Sequence, residues 1–487
     1  MTTLRQAWLP DLIYADGRFQ RNVALVCDEA GQIAQLAAAD EVEDPLRLKN
    51  RAILPGLVNA HSHAFQRVIR GRTEYRTQSP RDTFWTWREM MYSAATRLSP
   101  EDVYDASRMA FLEMVLGGIR AVGEFHYLHH APDGSLYDDP NLIAKEVIRA
   151  ANDVGLRIAL LRVAYGRSGF ETEANPRQAR FIERDPHKYL KHVEGLQSYL
   201  AQDTKGRGGQ APQPGQPAGG PSRSPSQWAW VGLAPHSVRA VPLKYLKEVI
   251  RFGNEQRLPI HMHVAEQTAE VSASIHEYGR SPVALLATEG LLSERFTAVH
   301  AIHVTAKAIG SLAEGRAMVC ACPTTERNLG DGVAPADLLF AKGVRVSLGS
   351  DSQAQIDLLE DARELEYHLR LQRTERNVLA QDGDGLISDL AARLFHCATS
   401  NGAESIGAPG GQIETGHPAD FFTVDLDDPS IAGATEDDLL SSIVFAQSRA
   451  AVRDVVIGGR RIVEDGRHSA QAEIVGRFKQ LQRKLWG

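Results

Sequence analysis

Four segments of the chain place histidines and carboxylates at spacings suited to metal-assisted chemistry. In ILPGLVNAHSHAFQR, residues 53–67, His61 and His63 are separated by one serine. Residues i and i+2 of a strand face one side, so both imidazoles can point the same way. PIHMHVAEQ repeats the spacing at His261 and His263 and adds Glu266 three residues further on. AVHAIHV carries His300 and His303, and VSLGSDSQ ends an apolar run on Asp351. A single pair such as His61 and His63 reads equally as turn histidines bonded to backbone, but recurrence over four segments needs a separate structural excuse for each. Neutral imidazoles with one carboxylate suit Zn2+ or Fe2+, and a coordination position left to water makes such a site catalytic. Metal-bound water loses a proton near neutral pH, so hydrolysis without a serine or cysteine nucleophile is the expected chemistry.

Such residues need a scaffold that gathers them. Eight apolar segments alternate with long helical stretches: AILPGLVNAHSHA, IRAVGEFHYLH, RIALLRVAYG, WVGLAPHSV, LPIHMHVAE, FTAVHAIHV, AMVCACPTT and VRVSLGSDS. The alternation predicts an α/β fold, a (β/α)8 TIM-like barrel, with the ionisable residues at strand C-terminal ends where barrel enzymes build their sites. A doubly wound open sheet would show the same alternation, but neither a Gly-rich dinucleotide fingerprint nor a P-loop follows the first strand. Short strands with Gly and Asp turns fill the first 54 residues, and the same texture returns in GQIETGHPADFFTVDLDD and VRDVVIGGRRIVEDGRH. The expected organisation is a barrel over 55–405 and a small β-sandwich domain built from 1–54 and 406–487, the latter ending in a helix. Residues 202–227 are rich in Gly, Pro, Ser and Gln, which predicts a disordered surface insertion without a catalytic role.

Composition excludes other classes. The 61 acidic and 54 basic residues give a net charge of -7 with no basic stripe, which argues against nucleic acid as a partner. No apolar run reaches the roughly 18 residues of a membrane span, and the first residues lack the pattern of an export signal, so a cytoplasmic protein with no membrane partner is expected. Cys27, Cys320, Cys322 and Cys397 form no CxxC unit and are read as reduced, packed residues.

PGLVNAHSHAFQR, HMHVAEQ, AVHAIHV and SLGSDS, in this order, resemble the amidohydrolase superfamily. The resemblance covers nearly the whole chain, because the split β segments are similar to that superfamily's flanking domain. The HxH, HxxE, His and Asp set without an evident bridging lysine resembles its mononuclear deaminase branch. This implies one Zn2+ per chain, with Fe2+ the alternative, held by His61, His63, His263 and Asp351. It also implies that Glu266 shuttles protons and that His300 and Asp351 orient the nucleophile. His261 and His303 are left as supporting residues.

Within that branch, HSHAFQRVIRGRTE, DTFWTWREMMY, GEFHYLHH, APHSVRAV, CPTTERNLGDG and GSDS resemble the deiminases that act on N-formimidoyl-L-glutamate in histidine catabolism. The resemblance implies that Gln66, Arg88, Tyr127, His236 and Arg239 surround a small anionic substrate, and that the chain forms a homodimer. Guanidinium groups bind carboxylates through paired, charge-assisted hydrogen bonds, which suits a dianion in an acidic protein. Arg88, between Trp85 and Trp87, reads on its own as a surface arginine stacked on an aromatic ring. His126, His129 and His130 around Tyr127 compete as ligand candidates. Gln353 stands where a histidine is expected in these deiminases, and the insertion precedes the strand carrying His236 and Arg239. Two other readings stay open: a purine or pyrimidine deaminase on the same metal core, and a non-catalytic metal-binding scaffold.

Overall fold

A computed structural model of the chain describes residues 4–170, 172, 174–206, 228–381 and 389–487. Each of the eight apolar segments contains a strand: β1 Leu57–Ser62, β2 Ile119–His126, β3 Arg157–Ala164, β4 Ala229–Pro235, β5 Ile260–Val264, β6 Phe296–His300, β7 Met318–Ala321 and β8 Val346–Leu348. They pair in parallel and in chain order. A parallel bridge between Ser62 and Asp351 brings the last strand back to the first and nearly closes the barrel. Almost every strand residue is buried, which is why these segments read as continuous apolar runs: helices cover one face and the barrel interior the other.

The connecting helices are amphipathic. Leu142–Val154 buries Ile143, Val147, Ile148, Ala151 and Val154, a 3.6-residue pattern facing the barrel. Pro100–Leu116 starts with a capping box between Ser99 and Asp102 and a proline in its first turn.

The two outlying β segments join into one nine-stranded sheet. Phe421–Asp425 pairs antiparallel with Leu46–Pro55, Phe422 opposite Leu54, and that ladder links the early strands to the late ones, with a further antiparallel bridge between Gln32 and Pro418. Only Leu4–Ala15 against Leu46–Pro55 is parallel in this sheet. Its residues enclose a core of their own, with Trp8, Ile13, Leu25, Ile33, Ile53, Phe421 and Val456 in contact. Leu46–Pro55 continues through Gly56 straight into β1, so one extended run crosses from the sheet to the barrel. The floor of the barrel is fastened there by charge. Arg120, at the start of β2, and Arg157, at the start of β3, both reach the buried carboxylate of Asp420 at 2.9 and 2.8 Å.

The C-terminal helix, Gln471–Trp486, lies against Pro100–Leu116 on the barrel side, tied by Arg108 to Glu473 at 2.6 Å. The insertion expected over 202–227 begins later than the composition indicated. Helix Pro186–Gly206 runs through its first five residues, because no glycine or proline interrupts the chain between Leu200 and Gly206. Residues 207–227, where the rest of that expectation falls, lie outside the described residues. Among the described residues, no helix is long and apolar enough to cross a membrane.

Candidate active site

The C-terminal ends of the strands carry the ionisable residues to one place. His61 closes β1 and His63 follows it; Asp351 follows β8, and the two segments exchange backbone bonds, His63 N to Asp351 O and Asp351 N to His61 O, each 3.0 Å. Gly349 permits this approach: a Cβ there would lie 2.7 Å from the His61 Cβ. Asp351 and His300 adopt positive φ, +43° and +71°, in the region that L side chains avoid. Strain of about 1–3 kcal/mol at such a residue persists where the surroundings over-determine the conformation.

His61 Nε2 and His63 Nε2 lie 3.3 and 3.2 Å from Asp351 Oδ1, and His263 Nε2 lies 3.2 Å from His61 Nε2. All four side chains are buried, and their ligand atoms fall within 4.8 Å of one another. His63 Nδ1 donates to the Phe125 carbonyl at 2.9 Å and His263 Nδ1 to the His236 carbonyl at 3.1 Å. Those bonds fix the tautomers and leave both Nε2 lone pairs facing the cluster. His61 Nδ1 is buried without a partner. Burial holds the His61 imidazole neutral, its pKa lowered to about 3. Convergent lone pairs of neutral imidazoles beside a carboxylate repel one another unless a cation lies between them, so this donor set fits a divalent metal ion.

Around the cluster stand three acid–base groups. His300 Nε2 faces Asp351 Oδ2 at 3.8 Å and Glu266 Oε1 at 4.0 Å, while its Nδ1 lies 3.2 Å from Glu326 Oε1. Burial works against charge on His300, yet Glu266, Glu326 and Asp351 outweigh it and hold the ring well above the usual imidazole range. Burial pushes the Glu266 carboxyl up, helped by Asp351 and opposed by His300 and Arg239. Asp351 goes the other way: burial would raise it, but the imidazoles of His61, His63 and His300 round it hold it well below the usual carboxylate range.

Above the cluster lies a cavity, and Gln66, Arg88, Tyr127, His236 and Arg239 all line it. Helix Phe84–Ala95, started by a Thr83/Thr86 capping box, presents Arg88 to the cavity. Its guanidinium lies 4.4 Å from the Trp85 ring centroid and 5.3 Å from that of Tyr92, so the aromatic stacking and the cavity position coexist. Arg239 follows β4 and lies 5.9 Å from the Trp85 ring. Among the described residues, neither guanidinium has a carboxylate partner within ion-pair reach, and Arg88 Nε is buried without any hydrogen bond. Burial lowers Arg88; at Arg239 burial is outweighed by Tyr165, Tyr92, Glu270 and Glu266. Gln66 Nε2 donates to the Tyr127 hydroxyl at 2.8 Å, and the His236 ring packs 4.6 Å from that of Tyr165.

Other candidates lie elsewhere. His261, one layer deeper in the barrel, bonds the Ser405 carbonyl through Nε2 at 2.9 Å, and His303 bonds the Asp331 carbonyl at 3.0 Å. His129 and His130 bond the carbonyls of Val163 and Ile182, and with His126 they stand outside the metal-ligating group. Gln353 does not line the cavity. Its Nε2 donates to Ser62 Oγ at 2.8 Å and its Oε1 accepts from Ser350 Oγ at 2.9 Å, so it braces the loop that presents Asp351. All four cysteines are buried and stand outside any disulfide; Cys322 lies beside His300 and Glu326, its thiol pushed well up by burial and therefore protonated. The sequence reading missed Glu326. It sits on helix Pro323–Leu329 inside CPTTERNLGDG, and its Oε1 also accepts the Cys322 N–H at 2.9 Å, which fixes the carboxylate against His300.

The profile of the Amidohydrolase family matches residues 52–462. A formimidoylglutamate deiminase from Pseudomonas aeruginosa is 36% identical over 466 residues, 96% of each chain. A 5-methylthioadenosine/S-adenosylhomocysteine deaminase from Haloquadratum walsbyi is 27% identical over 437 residues, 88% of this chain and 83% of that one. Among solved structures, an amidohydrolase from Brucella melitensis superposes with a TM-score of 0.87 at 32% identity, covering 99% of this chain and all of the other. An adenosine deaminase from Xanthomonas campestris with bound zinc has the same fold, with a TM-score of 0.79 at 22% identity over 99% and 98% of the two chains.

Proposed function

Because the chain belongs to the amidohydrolase family, we propose that it hydrolyses N-formimidoyl-L-glutamate to N-formyl-L-glutamate and ammonia, as a step of histidine breakdown. The observation that carries this reading is the pair of guanidiniums, Arg88 and Arg239, that line the cavity over the metal-ligating cluster without a carboxylate partner among the described residues. Two unpaired cations at one wall suit a substrate that brings two carboxylates. The relative from Pseudomonas aeruginosa supports the same substrate.

His61, His63, His263 and Asp351 would hold the metal, and zinc, bound in the Xanthomonas campestris protein, is the ion assigned. When bound there it supplies Lewis acidity and activates water at neutral pH. The chain's own groups do the rest. Arg88 and Arg239 bind the substrate carboxylates and aim the formimidoyl carbon at the cluster, with Gln66, Tyr127 and His236 closing round it. His300, held at Nδ1 by Glu326, presents Nε2 toward the attacking oxygen beside Asp351. Glu266, buried and raised, accepts the proton of the attacking water and returns it to the departing nitrogen. Water adds to the C=N carbon, that C–N bond breaks, and ammonia leaves.

Deamination of a purine or pyrimidine is the second reading, favoured by the nucleoside-acting relatives and by the Phe84, Trp87 and Tyr127 rings of the cavity wall. The test is ammonia release by zinc-loaded protein from a panel of N-formimidoyl amino acids and nucleobases. Turnover of N-formimidoyl-L-glutamate above all others is expected; preference for a nucleobase would replace this reading with the second.

A further inference from the structure

We infer that Tyr92 and Tyr165, set in place by the buried amide of Gln178, form the hydroxyl part of the anion recess, with Gln178 the positioning residue that makes it select a carboxylate over the corresponding amide. The inference deepens the reading above and rests on its claim that an anionic substrate binds beside Arg88 and Arg239.

Gln178 ends the short 3-10 turn Pro176–Gln178 and is 1% exposed. Its Nε2 donates to the Tyr92 hydroxyl at 2.6 Å and to the Tyr165 hydroxyl at 2.8 Å. An amide NH2 has two hydrogens, so both are spent on the two phenol oxygens. Each phenol therefore accepts from Gln178 and must send its own hydrogen elsewhere. For neither O–H is an acceptor found among the described residues.

Both tyrosines line the cavity together with Arg88 and Arg239. This wall thus presents two guanidiniums and two phenol O–H groups as donors. A carboxylate accepts from every one of them. A primary amide would turn its NH2 toward guanidiniums that accept nothing and toward phenol oxygens that already hold the Gln178 hydrogens, and a site built to satisfy one polar group rejects the analogue that leaves partners unpaired. The polarity of the recess hangs on which way the Gln178 amide faces. Gln178→Glu carries only acceptors, draws both phenol hydrogens inward and reverses that polarity.

The experiment uses the full-length zinc-loaded protein, with kcat and KM measured for N-formimidoyl-L-glutamate and N-formimidoyl-L-glutamine, and glutarate binding measured by calorimetry. Tyr165→Phe and Gln178→Glu are expected to raise KM for the glutamate substrate by roughly ten- to a hundredfold, the loss typical of a hydrogen bond to a charged group. kcat, metal content and the unfolding midpoint should change little, the carboxylate-over-amide preference should narrow, and glutarate binding should weaken in parallel. A merely structural role for Gln178 would lower the midpoint without altering that preference. Tyr165→Phe carries the test if Gln178→Glu does not fold. Variants with wild-type KM and preference overturn the inference and leave the deiminase reading standing. Glutarate binding that weakens in the variants, with no turnover of N-formimidoyl-L-glutamate by the wild type, supports the recess and overturns the reaction. A wild type that neither binds glutarate nor acts on the substrate overturns both.

Discussion

The two ends of the barrel hold arginine in opposite ways. At the floor, Arg120 and Arg157 converge on Asp420, which Arg157 grips through two bonds of 2.8 and 2.9 Å, Arg120 through one of 2.9 Å, and the Gly458 N–H through one of 2.6 Å. At the mouth, Arg88 and Arg239 face a cavity and pair with no carboxylate among the described residues. The floor removes its guanidiniums from water and the mouth shields its own in part, which is costly unless a counter-charge comes with them. The floor supplies its counter-charge from the chain and becomes a fastening between barrel and sheet. The mouth leaves its counter-charge to a ligand. At these two ends, whether the guanidiniums meet a carboxylate of the chain separates fastening from binding.

Substitutions at the two ends sharpen or break this contrast. The largest effect is expected at the mouth's own carboxylate: Asp351→Ala should lose both the bound metal and all turnover, whereas the wild type should retain one ion per chain by metal analysis. Two tightly held ions in the wild type would contradict a mononuclear site. Asp420→Ala should instead cost about 3–5 kcal/mol of folding stability, because it strands two buried guanidiniums. Denaturant titration should show that loss, with turnover per folded molecule preserved. Arg88→Met and Arg239→Met should reverse the pattern, with an unchanged unfolding midpoint and a loss of about 2–5 kcal/mol in kcat/KM for N-formimidoyl-L-glutamate. If either arginine variant unfolded as readily as Asp420→Ala, the contrast between the two ends would collapse. Glu266→Gln should keep its metal and lose on the order of 10²-fold in kcat through the missing proton transfer.

The smallest effect is in the pH dependence of stability. Burial would raise the Asp420 carboxyl, but Arg157 and Arg120 hold it below its ordinary value. A group whose folded pKa is depressed contributes stability that is complete above its unfolded pKa, about 3.9, and is lost as pH falls through the folded value. Asp420→Asn should therefore show a shallower acid limb below about pH 4 than the wild type. An identical limb in both proteins would remove Asp420 from the acid response.

What was legible in the sequence followed from geometry that repeats locally. A strand end fixes where i and i+2 point, so the pattern of eight apolar segments brought His61, His63, His261, His263 and Asp351 forward as candidates, and the resemblance to the amidohydrolase superfamily selected His61, His63, His263 and Asp351 among them. Groups positioned by distant partners left no such trace. Glu326 acts on His300 from a different βα unit, and Gln178 reaches Tyr92 and Tyr165 from a short turn with no periodicity. The Asp420 fastening joins residues 263 and 300 positions apart in the chain, a separation invisible to any window of sequence. Helix Pro186–Gly206 shows the opposite error, in which composition averaged over a long stretch hid the first five residues' freedom to extend the helix.

The ladder between Leu46–Pro55 and Phe421–Asp425 also has a consequence in time. During synthesis the early strands leave the ribosome long before their late partners, and at typical elongation rates the interval is on the order of 20 to 70 s. Throughout that interval Leu46–Pro55, already continuous with β1, has an unpaired edge that offers backbone groups to any neighbouring chain. The barrel can form while this edge waits, so the newborn chain is most exposed to mispairing at the strand that later joins its two parts.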